Sequence, residues 1–195
     1  MARPVLHDET LRGRLLEVTA ELVDQVGPAA LSLRSVAREA GTSTTAIYAL
    51  FGSKAQLLTA LLNESFASFG AAQAAAAGDG LVALGVAYRR WALDHPARYR
   101  LMFGGALMMS EECAPDPELA SAAMLPLREC VEQLQRDGTF RREEPTTVAA
   151  VIWAQVHGMV SIELAGALPH EADADTLYSA TLAATLRAWT EVRTR

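Results

Sequence analysis

The chain has 195 residues, 51% hydrophobic and 21% charged, with a formal net charge of −6. That length holds one large domain or a small and a medium one, and the apolar share builds a core with material left for a subunit interface or a ligand cavity. No apolar run approaches the ~20 residues of a membrane span, the N-terminal segment is charged and helical at once, without a signal-like apolar stretch, and Cys113 and Cys130 match no metal or redox spacing. A reducing cytoplasm is the expected setting, with no membrane, metal or cofactor.

Net negative charge argues against a nucleic-acid partner until its distribution is read. Residues 1–54 carry six basic and six acidic groups, so all the excess negative charge lies beyond residue 54. Such asymmetry permits a DNA-facing front and a repelled back without demanding them.

Every segment reads as helix. Leu11, Leu15, Val18, Leu22 and Val26 recur at steps of three and four on one face, and Gly27-Pro28 predicts the stop. Ser32 is a good N-cap for a second helix with Leu33, Val36, Ala37 and Ala40 inward, and Gly41 suits its C-terminal turn. Then comes a very short pattern, Thr44 to Phe51. At about 100° per residue, Thr44, Thr45, Tyr48 and Ala49 share one half of the wheel, and Ala46, Ile47, Leu50 and Phe51 share the other. The piece has an apolar back and a hydroxyl-bearing front, with Ser43 as its N-cap.

Two helices joined by a glycine turn of three or four residues have the layout of a helix-turn-helix, whose second helix enters the major groove. Thr and Tyr hydroxyls contact phosphates and base edges. Next, "SKAQ" forms a capping box with Ser53 at the N-cap. Lys54 then sits in the first turn of a helix, where free N–H groups already favour an anion. Short capped helices joined by glycine turns also occur in many helical proteins, so spacing alone leaves DNA binding and plain structural capping both open.

A fourth helix runs from Lys54 through Leu57, Leu58, Leu61, Leu62, Phe66 and Phe69 to Gly78-Asp79-Gly80. A fifth carries Leu81, Leu84, Tyr88 and Trp91, and "PARYRLMF" makes a short sixth. "ALMMSEECAPDPE" reads as loop. Asp116-Pro117 opens the next helix, with a kink or two pieces expected at Pro126 and an end at Asp137-Gly138. Long helices from Pro145 and from about Asp173 complete an all-α chain of about nine helices.

The stretch "LSLRSVAREAGTSTTAIYALFGSKAQLL" resembles the DNA-binding domain of the tetracycline-repressor (TetR) family of bacterial transcription regulators. The family's run of small residue, hydrophobic residue, Tyr, Phe and a helix-opening Lys falls on Ala46, Ile47, Tyr48, Phe51 and Lys54. Thr42 stands where a hydrophobic residue is common, and Ala49 where His is frequent. The resemblance, over residues from about 8 to 60, implies a dimeric two-domain regulator, most often a repressor. Its DNA-binding domain would be residues 1–53 and its effector-binding and dimerisation domain residues 54–195. It implies DNA contacts by Thr44, Thr45, Tyr48 and Lys54, with Ser32, Arg34 and Ser43 in support. The partners it implies are a double-stranded, near-palindromic DNA operator, a small-molecule effector and a second copy of the chain. "VIWAQVHGMVSIELAG" resembles a subgroup with a Trp–His–Gly signature, here Trp153, His157 and Gly158.

The helix holding that signature is apolar on both sides and must be buried on both. The last helix presents small residues. A four-helix dimer interface is therefore expected, drawing on Ala154, Ser161, Leu177, Thr181, Ala184, Ala188 and Trp189. A monomeric core pair is the alternative. Pockets are mostly apolar with few polar groups, so the candidates for a largely apolar effector are Phe66, Phe69, Tyr88, Trp91, Phe103, Met108, Met124 and Trp153. His157 and Glu163 are the possible polar members. Plain core packing is the competing role for each.

The four histidines are scattered, and no metalloprotease, phosphate-cradling or nucleophile-elbow motif occurs, so no enzyme is expected. The competing functional reading is an all-α dimer that binds a small molecule or protein and has lost operator binding.

Overall fold

In the computed structural model the backbone is described for residues 5–104 and 113–190, and side chains from residue 9 onward within those ranges. Nine α-helices occur among the described residues: α1 Val5–Ala30, α2 Leu33–Glu39, α3 Thr44–Phe51, α4 Lys54–Ala76, α5 Leu81–Asp94, α6 Pro96–Phe103, α7 Pro117–Arg136, α8 Pro145–Leu164 and α9 Ala174–Trp189. The all-α expectation holds. The one β-type pairing described is an isolated bridge between Phe140 and Thr190.

Helix ends follow local chemistry. Gly27 breaks α1 with φ 76°, and Pro28 follows in a short helical extension to Ala30. The Ser32 hydroxyl accepts from the Ser35 N–H at 3.1 Å. At the far end of α2, the Thr42 N–H donates to the Ala37 carbonyl at 2.8 Å and the Gly41 N–H to Arg38 at 3.2 Å. Gly41 itself has φ 67°. This paired 6→1 and 5→2 arrangement is a Schellman turn, which satisfies the orphan carbonyls and needs a left-handed residue at its centre. Ser43 then accepts from the Ala46 N–H at 3.2 Å and Ser53 from the Gln56 N–H at 3.1 Å, which starts α3 and α4. Glu144 and Asp173 cap α8 and α9 in the same way, at 2.6 and 2.8 Å. Pro126 lies inside α7, which is one helix rather than two pieces.

The chain forms two compact units, Met1–Ser68 with His95–Ala120 and Phe69–Asp94 with Ser121–Arg195. This differs from the division expected at residue 53. Leu57, Leu58, Leu61 and Leu62 of α4 are buried in the same core as Leu15, Leu16, Val36, Ile47 and Leu101. The first half of α4 belongs energetically with the short helices it follows.

In this first unit α6 packs on α1. Arg100 makes two 2.6 Å bonds to the Asp24 carboxylate, which holds that carboxyl below its usual range. Arg98, almost fully buried, pairs with Glu17 and Glu64.

The second unit is built around α8, which packs on α5 and α9. By length and composition alone α8 is long and apolar enough to cross a membrane, which the composition reading overlooked. Its Val148, Ala149, Ile152, Val156 and Val160 are core residues, while Val151 and Ile162 are 41% and 46% exposed. The buried and open faces thus divide Ile152 from Val151, so this helix is not buried on both sides within the chain. Gly70 lets α4 approach α7 closely, since a Cβ there would lie 3.3 Å from the Ala123 Cα.

The Schellman turn makes Gly41 hard to replace. Gly41→Val is expected to lower stability by about 1–2 kcal/mol, because a branched side chain at positive φ is strained. Gly41→Asn, which tolerates that region, should cost less. Urea-denaturation midpoints of the two variants check the order.

Candidate nucleic-acid interface and ligand cavity

The front of α3 is set by what its back touches. Ile47 is fully buried and Phe51 is 8% exposed, whereas Tyr48 is 56% exposed. Thr45 and Ala49 are also exposed and Thr44 is half-buried. Burial of the two large apolar groups, roughly 1.5–3 kcal/mol each, fixes the rotation of a helix of eight residues that is too short to be stable alone. Thr44, Thr45 and Tyr48 therefore share one outward strip, preceded by the capped N-terminus at Ser43.

The supporting candidates divide by what they already bind. The hydroxyls of Ser32 and Ser43 accept cap bonds, so their first role is to start α2 and α3. Arg34 is exposed on α2. The Lys54 ammonium donates to the Ala29 carbonyl at 3.3 Å, tying the start of α4 to the end of α1, and has two further N–H bonds to give. The sequence reading missed Arg14, an exposed residue of α1 whose guanidinium nitrogen comes within 3.9 Å of the position a Gly41 Cβ would take. Its place beside the turn depends on the α1–α2 packing angle, which periodicity does not encode.

A cavity lies within the second unit, with about 30 Å³ of room for the centres of water molecules, enough for one or two. Phe69 and Gln73 come from α4, Leu84, Gly85 and Tyr88 from α5, and Met124 and Leu127 from α7. Ile152, Trp153 and Val156 come from α8, and Leu182, Thr185 and Leu186 from α9. Among the effector candidates, Phe69, Tyr88, Met124 and Trp153 line it.

The others lie elsewhere. Phe66 and Phe103 stack edge-to-face at 6.3 Å in the first unit. Trp91 is buried against Phe69, with ring centroids 5.3 Å apart, as core. His157 stands behind the lining, its Nδ1 3.0 Å from the Tyr88 hydroxyl and its ring 5.3 Å from that of Trp153. Glu163 is bound twice by Arg89 at 2.8 Å, and Asp175 takes a third bond at 2.6 Å, which raises the Arg89 pKa. Met108 lies outside the described residues.

Gln73 went unnoticed inside an alanine-rich tract. Its spacing from Phe69, one turn earlier on the same face, was the available signal.

On α8 and α9 the expected interface residues also separate. Ala154, Ala184 and Ala188 are exposed, and Ser161, Leu177 and Thr181 are half-buried. Trp189 is a correction: it is buried with Phe140, Val148 and Ile152, and the Arg141 guanidinium sits 4.6 Å over its ring. A large indole one residue from an exposed alanine was drawn into its own core by that cluster.

Comparison with known proteins bears on both units. Residues 15–61 match the family model described as bacterial regulatory proteins, tetR family. Residues 81–185, more than half of the chain, match the tetracyclin repressor-like C-terminal domain. The HTH-type transcriptional regulator Rv1816 of Mycobacterium tuberculosis is 22% identical to this chain, covering 81% of it and 82% of its own length. Among solved structures, the regulatory protein SCO4313 is 28% identical with a TM-score of 0.75, covering 93% of this chain and 97% of its own. A TetR family transcription regulator from Marinobacter aquaeolei VT8 shares the fold, with a TM-score of 0.78 at 19% identity over 96% of this chain and 99% of its own.

Burial holds the His157 imidazole below its ordinary value of 6.5, so the unfolded chain takes up that proton more readily than the folded one. The stability contributed is complete above the unfolded value and is lost as pH falls from there toward the lower folded value. The melting temperature is expected to drop between about pH 7 and pH 5, and to drop less in His157→Gln. Identical pH profiles by circular dichroism would show that His157 is not held neutral by the fold.

Proposed function

Because the chain belongs to the TetR family of bacterial regulatory proteins and is a DNA-binding transcriptional regulator, we propose that it binds a near-palindromic operator as a homodimer in the cytoplasm and leaves it on binding a small, largely apolar effector. Members of this family are regulators and not enzymes, and operator binding, an effector and a dimer are typical of it. The matched helix-turn-helix favours this reading over a dimer that has lost its DNA partner.

The observation that carries the DNA-side reading is the outward strip of exposed Thr45 and Tyr48 with half-buried Thr44, over the buried Ile47 and Phe51. Small side chains let α3 approach base edges, while Tyr48 and Lys54 are suited to phosphates. Ser43 and Ser32 contribute mainly as caps that aim the two helices, and Arg34 adds positive charge on α2. Ala49, where the family often has His, leaves one contact unmade. Two α3 copies on a dyad must meet successive major grooves about 34–36 Å apart.

For the second copy we propose the open faces of α8 and α9. Val151, Ala154 and Ile162 are apolar and exposed on α8, beside Ala180, Ala184 and Ala188 on α9. At Gly158 a Cβ would meet open space, so this stretch of α8 offers a partner helix a close approach. The sequence pattern Trp153–His157–Gly158 suits a C-terminal domain of the Trp–His–Gly kind.

Effector control follows from connectivity. The chain leaves the second unit at Asp94 and enters the first at His95, directly before α6, which is held on α1 by Arg98 and Arg100. A ligand that favours a different placement of α5 would move α6 and, through those ion pairs, α1. It shifts the population only by its differential affinity for the two states.

Gel-shift titration against the DNA flanking the protein's own gene tests the reading, with a retarded, salt-sensitive complex expected. Thr45→Ala should change operator preference, whereas Tyr48→Phe should weaken specific and random DNA alike. Unchanged affinity and sequence profile in both would remove α3 from the interface. Val151→Glu should shift sedimentation toward the monomer, and a wild-type profile would place the dimer contact elsewhere.

A further inference from the structure

The cavity of the second unit contains a buried donor that the protein itself does not satisfy. Gln73 is 5% exposed and lines the cavity, and its Nε2 has no hydrogen-bond partner among the described residues. A buried amide N–H left without an acceptor is costly, and native structures keep few of them.

Two hydroxyls of the lining are differently placed. The Thr185 hydroxyl lies 2.9 Å from both the Gln155 Oε1 and the Thr181 carbonyl, which commits its proton inside the protein. The Tyr88 hydroxyl is 3.0 Å from His157 Nδ1. No Lys, Arg, Asp or Glu is among the described residues that line the cavity, and Arg89 is engaged by Glu163 and Asp175.

We propose that this cavity takes an uncharged, largely apolar molecule bearing one hydrogen-bond acceptor, such as a ketone, ester or amide carbonyl, and that Gln73 Nε2 donates to that acceptor. The proposal rests on the reading of the second unit as the effector-binding part. A carboxylate would lose its hydration and find no counter-charge, which a single neutral N–H does not offset. A pure hydrocarbon would seal the Gln73 amide away from any acceptor. A carbonyl compound avoids both penalties, and the rings of Phe69, Tyr88 and Trp153 supply the apolar contact. The room present is water-sized, so binding requires Met124 and Leu182 to change rotamer, a movement suited to an unbranched thioether and a leucine.

Three probes of nearly one shape test this: 2-acetylnaphthalene, 2-isopropylnaphthalene and 2-naphthoate, titrated into the full chain with tryptophan fluorescence as the readout. The ketone is expected to bind about tenfold more tightly than either of the others. Gln73→Leu should erase its advantage over the hydrocarbon while leaving hydrocarbon affinity equal or better. Gln73→Met serves as a second variant of similar volume should the leucine chain not fold. Naphthoate binding as tightly as the ketone would overturn the proposal. So would a ketone preference that survives in Gln73→Leu, or no binding of any probe below about 1 mM. A gel shift of the ligand-free protein is run in parallel. Its failure would end the regulator reading and leave the comparison of probes to stand or fall alone.

Discussion

The arrangement of the helix-turn-helix end depends on the grip on α3 from behind. Ile47 and Phe51 are buried in a core shared with α1, α2 and the first half of α4, and nothing within α3 itself would hold eight residues helical in water. Without that burial the Thr and Tyr side chains would have no common direction. With it, the left-handed Gly41 and the Ser43 cap set the angle at which the front is presented. Caps and turn contribute about a kilocalorie per mole each, less than the core burial they direct, yet they decide which way the burial points.

The second unit obeys a related constraint with a different result. α8 has apolar residues all round but only one buried face, so the protein leaves Val151 and Ile162 in the open. Exposed apolar area on a helix flanked by alanines is the kind of surface that a second subunit covers. On its buried side the same helix contributes Ile152, Trp153 and Val156 to the cavity. In the function proposed above, one element would serve both the subunit face and the ligand face, which would give bound ligand and subunit contact a shared mechanical part.

Much of the fold was legible in order along the chain, because helix boundaries are local events. Gly41, Gly80, Ser32, Ser43, Ser53, Asp116-Pro117 and Asp173 each act on neighbours within four residues, and each sits at the helix end that its chemistry implies. The outward strip of α3 was legible for the same reason, since a wheel of eight positions needs only the 3.6-residue period. At Pro126 the sequence left a kink and two pieces both open, and the packed chain keeps one helix across the proline.

Membership of a cavity or a core was less accessible. Phe66 and Phe69 are three residues apart on one helix, yet the first packs on Phe103 in one unit and the second lines the cavity of the other. Trp189 and Ala188 are adjacent, one buried and one exposed. The partners of Arg89, Arg98 and Arg100 lie between 34 and 86 positions away in the chain. Composition and spacing established the helices, their ends and the polar edge of α3, because those follow from interactions among residues within a turn of one another. The division into units, the walls of the cavity and the isolated amide of Gln73 came only with the packed chain, because they depend on which distant helix faces meet, and that is set by the core as a whole.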